Sequence, residues 1–156
     1  MALRKIMHYD KDDILKKKSI TVDKIDKEIL TLLKDMADTM YSANAFGLSA
    51  VQIGILKRVV ILKDETGPIN LINPVIIGMS GEQQVMEGCL SLPGIYGRVK
   101  RPDVVLVKAL NDRGETIVME GEGFLARVVC HEIDHLDGVL FIDKIIPGTL
   151  VNYNYY

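Results

Sequence analysis

The chain contains no tryptophan, few aromatic residues of any kind (three Phe and six Tyr), two cysteines and three histidines among its 156 residues. It also lacks any apolar run approaching the ~20 residues of a bilayer-spanning helix, which argues against a membrane-embedded protein. Net charge is only −2, so neither nucleic acid nor a membrane surface is expected as the main ligand. The one basic run, Lys16-Lys17-Lys18, is flanked by acidic residues and reads as a solvated loop. Charge, not an apolar stretch, follows Met1-Ala2-Leu3-Arg4-Lys5, so no secretory signal is read there and a cytoplasmic protein is expected. In that reducing compartment Cys89 and Cys130 are expected as free thiols. There is no internal repeat and no linker. With 48% hydrophobic residues, the length fits one domain over 1–156, taken as a monomer.

What is present is periodicity. Ile25, Ile29, Leu32, Leu33, Met36 and Met40 recur at helical spacing, predicting an amphipathic helix from Asp23 to about Ser42. Thr21 or Asp23 is expected to cap it, with Lys24, Lys27, Glu28, Lys34, Asp35 and Asp38 on the wet side. Small residues dominate Asn44–Gln52, which lacks the spacing and lysine of a phosphate loop. Short strands are predicted at Val59–Leu62, Ile69–Asn73 and Val75–Ile77, with turns at Asp64–Pro68 and Gly78–Gly81. A hairpin is predicted from Val104–Leu110 and Thr116–Met119 around Asn111-Asp112-Arg113-Gly114. Gly121 and Gly123 then break the strand before a second helix opened by Phe124 and stopped by Gly138. Val151–Tyr156 reads as a short edge strand or docked tail. The order predicts an α+β fold, with antiparallel or mixed β-sheets packed around the second helix.

That helix carries His131-Glu132-Ile133-Asp134-His135. Two histidines four apart share one helical face, about one ~5.4 Å turn apart. They can bind one divalent metal, and the adjacent Glu132 can serve as general base. His8 has no partner in sequence and reads as a surface residue. The third ligand decides the chemistry. Alone, Cys89 in Glu87-Gly88-Cys89-Leu90-Ser91 is more often a buried small hydrophobe. Beside a two-histidine helix it becomes a candidate ligand. Two imidazoles and one thiolate leave a coordination position open, as catalytic sites do. One alternative is a peptidase of the His-Glu-x-x-His type, but no His, Cys or Glu follows His135 to supply its downstream ligand. The other is a structural zinc domain, but Cys130 points about 100° away around the helix from His131 and is a poor fourth ligand.

The segments Ala45–Gln52, Glu87–Ser91 and His131–Gly138, in this order and spacing, resemble the three signature motifs of the peptide deformylase family, and the likeness runs through Asp143. The resemblance implies removal of the formyl group from N-formylmethionyl nascent chains. It implies Cys89, His131 and His135 as ligands of one divalent ion, commonly Fe²⁺, with Zn²⁺ or Ni²⁺ as substitutes. A metal-bound hydroxide would attack the formyl carbon, with Glu132 taking the proton and returning it to the leaving amine. The Gln52 side-chain amide and the Leu90 backbone N–H would hold the developing oxyanion. Phe124, Val128, Val85 and the stem of Arg127 are expected to line a slot for the methionine side chain. Phe46, Gly47 and Gly88 are expected to pair with the peptide backbone, and Glu87 is counted among the same substrate contacts. Ala45 and Ser49 depart from the family's usual glycine and alanine. Transient ribosome association, which some relatives make through a long C-terminal helix, is expected to lack that element here.

Overall fold

The architecture comes from a computed structural model that describes residues 2–155, so Tyr156 of the expected tail lies outside the described residues. The first helix, α1 (Lys27–Ser42), starts later than expected. Asp26, not Thr21 or Asp23, takes extended backbone, and its carboxylate accepts the Ile29 N–H at 3.1 Å. Ile25 thus precedes the helix, yet packs on the same core as Ile29, Leu32, Leu33, Met36 and Met40. Asp35 is buried, contrary to the wet face expected of it. Arg4 covers it, with Nη2 2.7 Å and Nε 2.9 Å from Oδ2.

The strands that follow are β1 (Gly47–Ser49), β2 (Val59–Asp64), β3 (Gly67–Ser80), β4 (Gln83–Cys89), β5 (Leu92–Arg101), β6 (Val104–Leu110) and β7 (Thr116–Glu122). After them come α2 (Phe124–Leu136) and β8 (Val151–Asn152), the short edge strand expected of the tail. They make a five-stranded sheet in the order β1-β2-β3-β6-β7 and a three-stranded sheet β4-β5-β8. Every strand pairing is antiparallel. The two runs expected at Ile69–Asn73 and Val75–Ile77 form the single strand β3. Its register slips between Ile72 and Val75, where Asn73 sits at φ +53° and Pro74 has no N–H to give. Gly121 lies inside β7 and does not break it; Gly123, at φ +58°, makes the turn into α2.

The run Val59-Val60-Ile61-Leu62 is fully buried because β2 is covered on both faces. Val59 and Ile61 point to α1, Val60 and Leu62 to the core under α2. A third cluster, around Leu15, Val51, Leu92, Val99 and Phe141, backs the smaller sheet. At the C-terminal end of α2, Gly138 adopts φ +72°, and a Cβ there would fall 2.5 Å from the Lys16 carbonyl oxygen. Arg58 Nη1 donates to the Leu136 carbonyl at 3.0 Å and pairs with Asp137 at 3.0 Å, placing positive charge where the helix carbonyls are unpaired. No helix among the described residues is long and apolar enough to cross a membrane.

Candidate metal centre

Cys89 closes β4, where it pairs with Leu92 and leaves Leu90-Ser91 as a two-residue turn. The segment expected to be irregular is therefore the tip of a hairpin. A register shift between Glu87 and Cys89 turns that tip toward α2. There Cys89 Sγ lies 3.3 Å from His135 Nε2, and the His131 and His135 rings meet edge-on with centroids 5.0 Å apart. The ligand atoms of all three residues lie within 4.8 Å of one another. Ligand atoms around a tetrahedral ion with ordinary metal–nitrogen and metal–sulfur bonds stand about 3.5 Å apart. The donors present therefore fit a divalent cation. Cys130 faces the core under α2, outside the Cys89, His131 and His135 group, and burial pushes its thiol up to about 11.

Buried charges aim the imidazoles. His131 Nδ1 lies 3.0 Å from Glu87 Oε1, which turns Nε2 toward the centre. Glu87 also accepts from Arg101 Nε at 2.7 Å and Nη2 at 2.9 Å. Arg101 Nη1 reaches Asp134 at 2.7 Å, and Lys144 closes the chain of charges 3.1 Å from the same carboxylate. Burial would raise the Glu87 pKa, but the Arg101 and His131 partners outweigh it and hold the carboxyl at about 2. Burial would likewise lower His131, yet the Cys89 sulfur and the Glu87 carboxylate hold it well above its ordinary value. His135, buried and facing the charges of His131 and Arg101, is held well below and is neutral.

Glu132 is buried on the groove side of α2, and burial raises its pKa against the opposing charge of His131 and the Ser49 hydroxyl. Gln52 is also buried. Its Oε1 accepts the Ser49 N–H at 2.9 Å, which fixes the amide orientation. Nε2 is thereby directed to Cys89 Sγ at 3.5 Å and Ser91 Oγ at 3.3 Å. An N-terminal segment fastens both walls of this arrangement. Met7 N–H donates to the Gln52 carbonyl at 2.7 Å and Tyr9 N–H to the Ser91 carbonyl at 3.0 Å.

The centre opens into a groove of about 480 Å³. Phe46, Gly47, Gly88, Phe124, Arg127 and Val128 all line it, as do Gln52 and Leu90. Phe46 and Phe124 meet edge-on at 4.9 Å, and the Arg127 guanidinium lies 5.2 Å over the Phe124 ring. Val85 is the exception. It stands opposite Val99 in the β4–β5 ladder and does not line the groove; Met86, one residue on and on the opposite face of the strand, does. Glu87 borders the groove, but its carboxylate faces inward to His131 and Arg101. Sequence reasoning missed the positioning work of Glu87, Arg101, Asp134 and Ser49. The one available signal for Arg101 was parity. It falls on the buried face of β5 with Val99, where an arginine requires a partner.

Residues 3–150 match the family model for polypeptide deformylase. The chain is 57% identical to a peptide deformylase of Acetivibrio thermocellus, over 94% of this chain and 85% of the relative. Among solved structures it resembles a peptide deformylase of Thermotoga maritima, with TM-score 0.90, 38% identity and coverage of 94% and 100%. It also resembles one of Legionella pneumophila, with TM-score 0.89, 42% identity and coverage of 94% and 88%. A thiol and two imidazoles brought together by a hairpin tip and one helix, in a chain matched over nearly its whole length, place it in the polypeptide deformylase family.

Proposed function

We propose that the chain is a metal-dependent deformylase that hydrolyses the formyl amide of N-formylmethionyl nascent peptides, with Cys89, His131 and His135 holding one divalent ion. The observation that carries this reading is the convergence of the Cys89 sulfur on the imidazole pair, beside a buried glutamate on the wall of an open groove. Imidazole and thiolate donors suit Fe²⁺, Zn²⁺ and Ni²⁺ alike. Fe²⁺, which the family resemblance implies, is the ion proposed. When bound, such an ion supplies Lewis acidity, polarising the formyl carbonyl and acidifying water.

The protein supplies the rest. Glu132 takes a proton from the attacking water and hands it to the amide nitrogen as the C–N bond breaks, giving formate and a free amine. Gln52 Nε2, held by the Ser49 N–H, and the Leu90 N–H in the hairpin turn stabilise negative charge on the formyl oxygen. Phe46, Met86, Phe124 and Val128, with the stem of Arg127, hold the methionine side chain. The backbone at Gly47 and Gly88 pairs with the extended peptide, a mode tolerant of its sequence.

Formate release from formyl-Met-Ala-Ser by anaerobically purified protein tests the assignment. Glu132→Ala should keep its metal and lose activity by at least about 10²-fold, the usual contribution of a positioned acid–base group. Unchanged formate release in the variant would refute the role given to Glu132.

A further inference from the structure

Ser49 occupies a first-motif position where the resembled family usually has alanine, and no step above uses its hydroxyl. It is fully buried in β1, and its backbone N–H is committed to Gln52. Its Oγ lies 2.9 Å from Glu132 Oε1 and 2.7 Å from the Glu132 backbone oxygen. Among the described residues no other hydrogen bond reaches the Glu132 carboxylate. Gly47, two residues earlier in β1, leaves the space this needs. A Cβ there would come within 2.9 Å of Glu132 Cγ and 3.0 Å of Oε2. The two carboxylate oxygens are thus differentiated, Oε1 tied to Ser49 and Oε2 beside Gly47 on the groove wall.

We propose that Ser49 is a positioning residue for Glu132, its hydroxyl fixing Oε1 so that Oε2 is presented to the groove as the oxygen that exchanges the proton. The proposal rests on the reading of Glu132 as proton carrier. The hydroxyl has one hydrogen and two acceptors in reach. It donates to Oε1 of the carboxylate, and it goes on donating to Oε1, then the acid's carbonyl oxygen, once Oε2 carries the proton. No heavy atom moves in either case, so the same contact serves Glu132 before and after it takes the proton. Alanine offers no partner, and the carboxylate is then free to rotate.

The test compares wild type and Ser49→Ala as metal-loaded proteins on formyl-Met-Ala-Ser. In the variant kcat should fall about tenfold, the value of one hydrogen bond to the reacting group, with KM within about twofold and metal per chain unchanged. In the metal-free proteins, the infrared carboxyl bands that Glu132→Gln removes should shift on Ser49→Ala. An unchanged kcat, a loss confined to KM or metal content, or unshifted bands would overturn the proposal. An inactive wild type would instead overturn the functional reading beneath it.

Discussion

Glu87 links the two buried halves of the centre, orienting His131 with one oxygen and anchoring to Arg101 with both. Replacing it with glutamine removes the charge that aligns the ring, and metal affinity should fall about 10–100-fold in a competition titration. Its pKa also sets an acid limit. Because the folded-state value of about 2 lies below the ordinary 4.5, this carboxylate stabilises the fold fully above pH 4.5. That contribution is lost as pH falls from 4.5 toward 2. Denaturation midpoints of metal-free protein measured against pH should show this acid limb in wild type and a flatter one in Glu87→Gln. Equal limbs would contradict the assignment. At this scale the candidate ligands His131 and His135, with Glu132 between them, were legible because the three are neighbours along one helix. The residues that aim them were not, because Arg101 and Ser49 reach the centre only through pairing between elements distant in sequence.

Among the elements, helices and the β6–β7 hairpin were legible from periodicity and turn residues, whereas boundaries followed local chemistry. Asp26 starts α1 because its side chain reaches the Ile29 N–H. Asp26→Ala should therefore cost roughly 1 kcal/mol, seen as a lower urea midpoint with the same slope. A midpoint equal to wild type would mean the cap contributes nothing. The β4–β5 hairpin was hidden for a different reason. Glu87 and Arg101 interrupt its alternation of apolar and polar residues, since these buried charges serve the centre and not the core. β3 was read as two runs, Ile69–Asn73 and Val75–Ile77, but Asn73-Pro74 marks a bulge within one strand, with the Asn73 side chain accepting the Val22 N–H at 2.8 Å.

Across the whole molecule, the donor set bridges two bodies. Cys89 belongs to the smaller sheet, while the histidines ride on α2, which packs against the larger one. A cation binding all three residues stabilises only the folded arrangement, by about 4 kcal/mol when free metal exceeds its Kd a thousandfold. Chelation should accordingly lower Tm, and restoring Zn²⁺ or Fe²⁺ should recover it in a concentration-dependent way. A Tm indifferent to metal would count against the three-ligand assignment. The bonds from Met7 to the Gln52 carbonyl and from Tyr9 to the Ser91 carbonyl have a related consequence. They fasten the Gln52 turn and the Leu90-Ser91 hairpin tip, already joined through Gln52 Nε2 and Ser91 Oγ at 3.3 Å, to a segment that does not line the groove. The spacing of the two proposed oxyanion donors, the Gln52 amide and the Leu90 N–H, is thus braced from behind by chain outside the groove.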